Sequence, residues 1–244
     1  MARRAVSRAS RQFMLAAIRR ACTKRRGNSG VAAAAARLGG HAAGPVPARG
    51  QVDRERRIAL FVAEAERVQG SVVRVASPRD VPGAIAAYLA GHNIEPRLKM
   101  APDPWLRSIP WKQQSSLSVT EGKGERNDPV GVTGVFACVA ETGTLVLASG
   151  ADSPTSLAFV PPVHIAVAPV ARLVGTYEEA WAKLRERATN EQGPFMPRAV
   201  NWITGPSRTA DIEQTLLLGA HGPQRLLIVL VDEPGDGPGD GQGT

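Results

Sequence analysis

Leu226-Leu227-Ile228-Val229-Leu230-Val231 is an unbroken apolar run near the end of a 244-residue chain. A strand with one face in water alternates apolar and polar side chains. A run without alternation belongs to a strand covered on both faces, as in the interior of a parallel sheet flanked by helices. The rest of the chain has to supply that cover. Ile58, Phe61, Val62, Ala65 and Val68 follow the i, i+3, i+4, i+7, i+10 spacing of one helical stripe. Val72, Val73 and Val75 then read as a short strand, Val81 to Gly91 as a helix carrying Ile85, Tyr88 and Leu89, and Arg97 to Met100 as a second strand. This is a β–α–β beginning. After a loop-rich middle with Trp105, Trp111 and the polar stretch Glu121 to Asp128, Leu145 to Leu147 and His164 to Ala168 read as strands. Thr176-Tyr177-Glu178-Glu179 is a capping box that opens a helix with Tyr177, Ala180, Trp181 and Leu184 on its inner face. Val200 to Ile203 is another strand and Asp211 to Leu218 a helical segment. Strands alternating with helices predict an α/β fold, a three-layer sandwich with a mainly parallel central sheet. With 43% of residues hydrophobic, the chain has material for one sizeable core.

Charge divides the chain. Its 30 Lys+Arg exceed its 22 Asp+Glu, but no acid precedes Asp53, and eleven of the thirty basic residues lie in the first 52, leaving 19 against 22 in the remainder. The folded part is therefore slightly acidic, and the pI near 10.3 describes an extension, not a basic binding face. Residues 1–52, ending in Gly44-Pro45-Val46-Pro47-Ala48-Arg49-Gly50, read as a basic N-terminal helical extension and linker, with short helices around Phe13, Ala17 and Ile18 and from Val31 to Leu38. Such an acid-free, Arg-rich composition suits a targeting presequence or a nucleic-acid segment, but it equally suits a solvated arm, which is the reading preferred here. No nucleic acid is expected as a partner. Residues 53–231 form the domain, and 232–244, mostly Gly, Pro and Asp, read as a disordered tail.

The two cysteines, Cys22 and Cys138, make no disulfide framework, so a reducing, cytoplasmic compartment is expected. Nor do they supply the four ligands an iron–sulfur cluster normally takes. His41, His92, His164 and His221 lack the spacing of a metal site, so neither metal nor other cofactor is expected on this chain. The longest apolar candidate for a membrane span, Val130 to Ala148, is broken by Glu141 and several Gly and Thr. There is no Walker A motif and no Gly-x-Ser-x-Gly elbow, and Gly122-x-Gly124 lacks the third glycine of a dinucleotide site.

The most informative segment is Gly205-Pro206-Ser207-Arg208-Thr209-Ala210-Asp211, read as a turn from a strand into a helix. Free backbone N–H groups and the positive end of a helix, with the Ser207 and Thr209 hydroxyls and the Arg208 guanidinium, suit an anion. Equally, Ser207 or Thr209 can simply cap the helix while Arg208 pairs with Asp211 or Glu213. Glu141, in Ala140-Glu141-Thr142-Gly143-Thr144, places a carboxylate at a glycine-flexed turn in apolar surroundings, a general base, a nucleophile or a satisfied structural partner. His221, between Gly219-Ala220 and Gly222-Pro223 before the last strand, is within reach of a site at strand ends. His164 opens an apolar strand and is read as structural.

Taken in order, Ala140 to Leu147, His164-Ile165, Gly205 to Glu213 and Gly219 to Pro223 resemble the LUD domain of the lactate utilization protein C (LutC/YkgG) family, over about Asp53 to Val231 and most strongly from Gly131 onward. The resemblance implies a fold of the NagB/RpiA/CoA-transferase-like group. It also implies a part in oxidising L-lactate to pyruvate beside two iron–sulfur proteins, LutA-like and LutB-like, so that the redox centres sit on other chains. It carries over no catalytic residue. Glu141 and His221 as catalytic candidates, and Gly205, Ser207, Arg208, Thr209 and Asp211 as ligands to a small carboxylate or phosphate-bearing molecule, rest on the residues themselves. Two functions follow: an accessory, non-redox component of an iron–sulfur lactate-oxidising system, or a stand-alone acyl- or CoA-transferase-like enzyme using Glu141.

Overall fold

In a computed structural model of the chain, residues 8–24, 28–40, 44–190, 197–210, 216–218 and 221–232 are described. The chain divides into two units, Met1–Pro45 and Val46–Thr244. The first holds helices α1 (Arg8–Lys24) and α2 (Asn28–Gly40), both rich in the strong helix former alanine and without an acid in the first turn. Both lie within residues 1–52, and the first is longer than its apolar residues suggest.

The second unit begins before the compositional break, since Val46 to Val52 belong to it. Gly50 is buried there, and a Cβ on it would stand 2.6 Å from the Gly175 carbonyl oxygen. Its elements are α3 (Arg54–Arg67), β1 (Ser71–Val75), α4 (Val81–Gly91), β2 (Arg97–Met100), α5 (Pro104–Ser108), β3 (Ser118–Glu121), β4 (Val130–Gly134), β5 (Ala137–Val139), β6 (Thr144–Ala148), β7 (Val163–Pro169), β8 (Leu173–Val174), α6 (Tyr177–Asn190), β9 (Val200–Ile203), β10 (Arg208–Ala210), β11 (Leu216–Leu218) and β12 (Arg225–Val231). Asp53 starts α3 by accepting the Arg56 N–H at 3.0 Å.

Six strands form an all-parallel sheet in the order β1-β12-β7-β4-β2-β3. The apolar run sits at β12, second from the edge, with Leu226 to Val231 buried. Its alternate residues serve two cores. Leu227, Val229 and Val231 pack with Val81, Ile85 and Leu89 of α4. Leu226, Ile228 and Leu230 pack with Ile58, Phe61 and Ala65 of α3 and with Cys138, Leu145 and Leu147. The α/β class with its parallel central sheet is what the sequence pattern implies.

Further cover on the α3 side comes from a second sheet, order β8-β5-β6-β9, in which β6 is antiparallel to β5 and β9. Its outer residues Ala137, Val139, Val146 and Ala148 pack against Ala180 and Leu184 of α6. At the start of α6, Thr176 accepts the Glu179 N–H (3.4 Å) and Glu179 accepts the Gly175 N–H (2.9 Å), a variant of the expected capping box.

One expectation is overturned. Leu216–Leu218, placed by the sequence reading in a helix from Asp211, is a strand paired antiparallel to Arg208–Ala210. Three adjacent leucines fit a strand as readily as a helical face, and a pairing partner decides between them. Residues 211–215 lie outside the described residues, as do 233–244 of the expected tail. Asp232 itself is fastened: its N–H donates to the Val75 carbonyl (3.0 Å) and its carboxylate pairs with Arg74 at 2.6 Å. No helix among the described residues is long and apolar enough to cross a membrane.

Candidate functional site

β9 ends at Ile203 and the chain turns through Thr204-Gly205-Pro206-Ser207. Gly205 takes φ +81°, and a Cβ there would lie 2.4 Å from the Val68 carbonyl oxygen. Both the left-handed backbone and the close approach to the end of α3 call for glycine. The Ser207 N–H donates to the Pro223 carbonyl at 2.8 Å, tying this turn to the segment that enters β12. Between the two segments and the beginning of β7 lies a cavity of about 220 Å³. Its polar wall is His164, Thr204, Gly205, Ser207, His221 and Gly222, and its apolar wall includes Ala158, Phe159, Ile203 and Leu226.

His164 and Leu226 are cross-strand partners, each the second residue of its strand. The cavity therefore opens at the amino ends of the parallel strands, on the side of the six-stranded sheet that faces the smaller sheet. Open α/β sheets more often bind ligands beyond the carboxyl ends.

At the inner wall, His164 is 1% exposed. Its Nε2 lies 2.8 Å from the Thr133 Oγ1 on β4, while its Nδ1 is buried without a hydrogen-bond partner among the described residues. Desolvation pushes its pKa down to about 4, so the ring is neutral at pH 7.

Thr204 is also defined. Thr142 donates to the Tyr177 hydroxyl (3.1 Å), which uses its only proton. Thr144 is then the donor to Thr142 (2.7 Å), Tyr177 the donor to Thr144 (2.9 Å), and Thr204 the donor to Thr144 (2.7 Å). With its proton committed inward, Thr204 offers the cavity lone pairs only.

Of the residues expected at a site, the cavity gathers Gly205, Ser207 and His221, with His221 exposed at the rim. Arg208 is exposed on β10 and is not part of the wall. Thr209 is on the same strand, and Asp211 lies outside the described residues. The helix whose N-terminus was to meet an anion is replaced, at Arg208, by a strand. Among the described residues the wall holds no Lys or Arg.

Glu141 lies apart. It is 3% exposed, and its Oε1 accepts the Tyr177 N–H at 3.2 Å, capping α6, while Oε2 faces the Arg49 Nε at 3.5 Å. That second contact is an ion pair and falls short of a hydrogen bond. Gly143 beside it takes φ +65°, with a Cβ position 2.3 Å from the Ala65 nitrogen. Cys138 is buried and its thiol pushed up to about 12 by desolvation, which makes it a poor nucleophile. No group of three or more His, Cys, Asp or Glu among the described residues is placed to hold a metal.

From the sequence alone His164 reads as structural, and nothing singles out Thr204. A lone histidine opening an apolar strand was the available signal for the first. Its significance comes from Thr133 on the neighbouring strand and from the cavity beside it, both products of the fold.

A family model described as LUD domain matches residues 58–231. Relatives called lactate utilization protein C are 37% identical over 117 residues in Bacillus subtilis, covering 46% of this chain and 48% of that protein, and 30% identical over 164 residues in Geobacillus thermodenitrificans, covering 67% and 63%. An uncharacterized protein of Neisseria meningitidis is 37% identical over 150 residues, 61% of this chain and 56% of its own. The chain spans about half the length of the curated relatives it matches. A solved structure of a DUF162 family protein from Deinococcus radiodurans superposes with a TM-score of 0.50 at 23% identity, over 74% of this chain and 99% of that one, a likeness of fold alone. With its match running from the first turns of α3 to the last residue of β12, the chain belongs to the LUD domain family.

Proposed function

We propose that this chain serves lactate utilization in the cytoplasm as a component without a redox centre of its own. It holds a small carboxylate- or phosphate-bearing ligand in the cavity at the amino rim of the parallel sheet. Oxidation of L-lactate to pyruvate releases two electrons and two protons, and LutA-like and LutB-like iron–sulfur proteins take the electrons. The observation that carries the reading is the cavity, whose wall joins Gly205, Ser207 and His221 from two separate segments. Relatives named lactate utilization protein C supply the metabolic setting. Two cysteines on the whole chain agree with clusters held elsewhere.

The volume of about 220 Å³ is below the ~300–1,000 Å³ of pockets for drug-sized ligands, which suits a metabolite of a few heavy atoms. The anionic end of the ligand belongs at the mouth, near the Ser207 hydroxyl and His221, where water and the exposed Arg208 moderate its charge. Glu141 takes no part, because its carboxylate caps α6.

The test is reconstitution. The purified chain alone should give no lactate-dependent reduction of an artificial acceptor. The iron–sulfur proteins with this chain should turn over at least about tenfold faster than without it, and Ser207→Trp, which fills the mouth, should abolish the gain. Turnover by the isolated chain, or full turnover in its absence, overturns the reading.

A further inference from the structure

We propose that His164, held by Thr133, is the recognition donor of the cavity: its Nδ1–H takes the carbonyl or hydroxyl oxygen of a small acid whose charged end stays at the mouth. This rests on the reading of the cavity as a binding site and adds the group that selects among ligands within it.

The argument is a count of protons. A neutral imidazole carries one N–H, on Nδ1 or on Nε2, and Thr133 carries one O–H. If the ring proton were on Nε2, it would be donated to the Thr133 oxygen, leaving two buried groups unmatched, the Thr133 proton and the Nδ1 lone pair. If it is on Nδ1, Thr133 donates to Nε2 across the 2.8 Å and both are satisfied. Only the Nδ1–H is then left without a partner, and Nδ1 is the buried atom that has none. Burying one unmatched group costs less than burying two, so the second tautomer is favoured. His164 belongs to the cavity wall and Thr133 does not, and Nδ1 is the ring nitrogen for which the protein supplies no partner among the described residues.

The charge of the matching group follows. His164 is neutral, and no Lys or Arg lines the described wall. A carboxylate or phosphate pressed against it would lose its hydration without a counter-charge. An uncharged oxygen loses far less and gains the one donor on offer. Thr204, with lone pairs only, accepts from a ligand hydroxyl and offers an anion nothing. The ligand class is therefore a small acid with an uncharged oxygen beside its charged group, its apolar remainder lying against Ala158 and Leu226.

Two measurements on the full chain test this. Nitrogen-15 NMR of the imidazoles should report the Nδ1–H tautomer for His164 in the free protein, and the Nε2–H tautomer overturns the proposal with no ligand needed. Titration with pyruvate and with propionate, which lacks the keto oxygen, should show pyruvate binding about tenfold more tightly, as one neutral hydrogen bond allows. His164→Leu should erase that preference. His164→Asn, whose amide N–H stands close to the Nδ1 position, should keep it within about threefold. Equal binding of the two acids, or an intact preference in His164→Leu, removes the role of His164 while leaving the cavity as a binding site. Should neither acid perturb Ser207 or Gly222, the binding-site reading falls and this proposal with it. If His164→Leu does not fold, the tautomer and the propionate comparison in the unaltered chain still decide.

Discussion

Glu141 and His164 are both polar and almost wholly buried, at 3% and 1% exposure, yet their hydrogen-bonding groups are used in opposite ways. Glu141 gives one oxygen to the first N–H of α6 and sets the other 3.5 Å from the Arg49 guanidinium, an ion pair without a hydrogen bond and outside the cavity wall. His164 gives one nitrogen to Thr133 and keeps the other unmatched beside a cavity. Burial of a polar group does not by itself mark a site. What separates the two is where the unmatched atom lies: the Glu141 oxygen faces a cation of the protein itself, whereas His164 lines a cavity, where an unmatched group is a standing cost that a ligand can remove. The two corners share a foundation, since the turns at Gly143 and Gly205 both press on the end of α3, at Ala65 and Val68 respectively.

The shared foundation sets the largest expected effect. Gly143→Ala and Gly205→Ala each force a Cβ to within 2.3 and 2.4 Å of backbone atoms at positive φ. Each should cost about 3 kcal/mol or more in urea unfolding, since backbone has no rotamer by which to move aside. If Gly205→Ala were well tolerated, the cavity turn would not be anchored on α3 and its shape would not be fixed.

Acid should separate the corners next. The folded pKa of His164, about 4, lies below the usual 6.5, so between these values the unfolded chain takes up a proton that the folded chain refuses. The contribution of this group to stability is therefore complete above pH 6.5 and is lost as pH falls toward 4. Unfolding free energies at pH 7 and 4.5 should differ by about 2–3 kcal/mol more in the unaltered chain than in His164→Asn. Equal pH dependence would mean that the ring is not desolvated.

This contrast also explains how far residue order could be read. Parallel strands announce themselves because burial on both faces removes alternation, as in β7 and β12, and α3 and α6 do so through their apolar spacing. The second sheet was only half visible. β6 and β9 were legible, but β8 has two residues and β5 three, too few for a period to show, and Leu216–Leu218 needed its partner strand to be told from a helix. At the cavity, turn chemistry singles out Gly205 and Ser207 in the sequence, and the glycine-flanked loop before the last strand singles out His221. His164 reads from the sequence as structural, because its contact with Thr133, 31 positions away, exists only in the fold. Glu141 stands out in the sequence as a carboxylate among apolar residues, but its partners Arg49 and Tyr177 come together only in the fold.

Removing each polar group should then give opposite signatures in binding. Glu141→Ala leaves the Tyr177 N–H and Arg49 unmatched and should cost about 1–2 kcal/mol in stability, with pyruvate binding unchanged. His164→Leu removes the unmatched Nδ1–H but leaves the buried Thr133 hydroxyl without its acceptor, and should cost about 1–3 kcal/mol in stability while its binding falls. Weakened binding in a folded Glu141→Ala protein would collapse the distinction between the corners.

The smallest effect belongs to Arg208, the residue that the strand-to-helix reading placed at the centre of an anion site. It stands exposed on β10 outside the cavity wall, so its attraction for a bound anion acts through water at high dielectric. Two unit charges 4 Å apart in bulk water attract by only about 1 kcal/mol, and salt at 0.15 M screens beyond about 8 Å. Arg208→Ala should therefore weaken binding of pyruvate or inorganic phosphate by less than about threefold, and the difference should vanish on raising the salt. A salt-insensitive loss of tenfold or more would place the guanidinium in direct contact with the ligand. The balance of recognition would then move from the neutral inner wall at His164 to the charged rim.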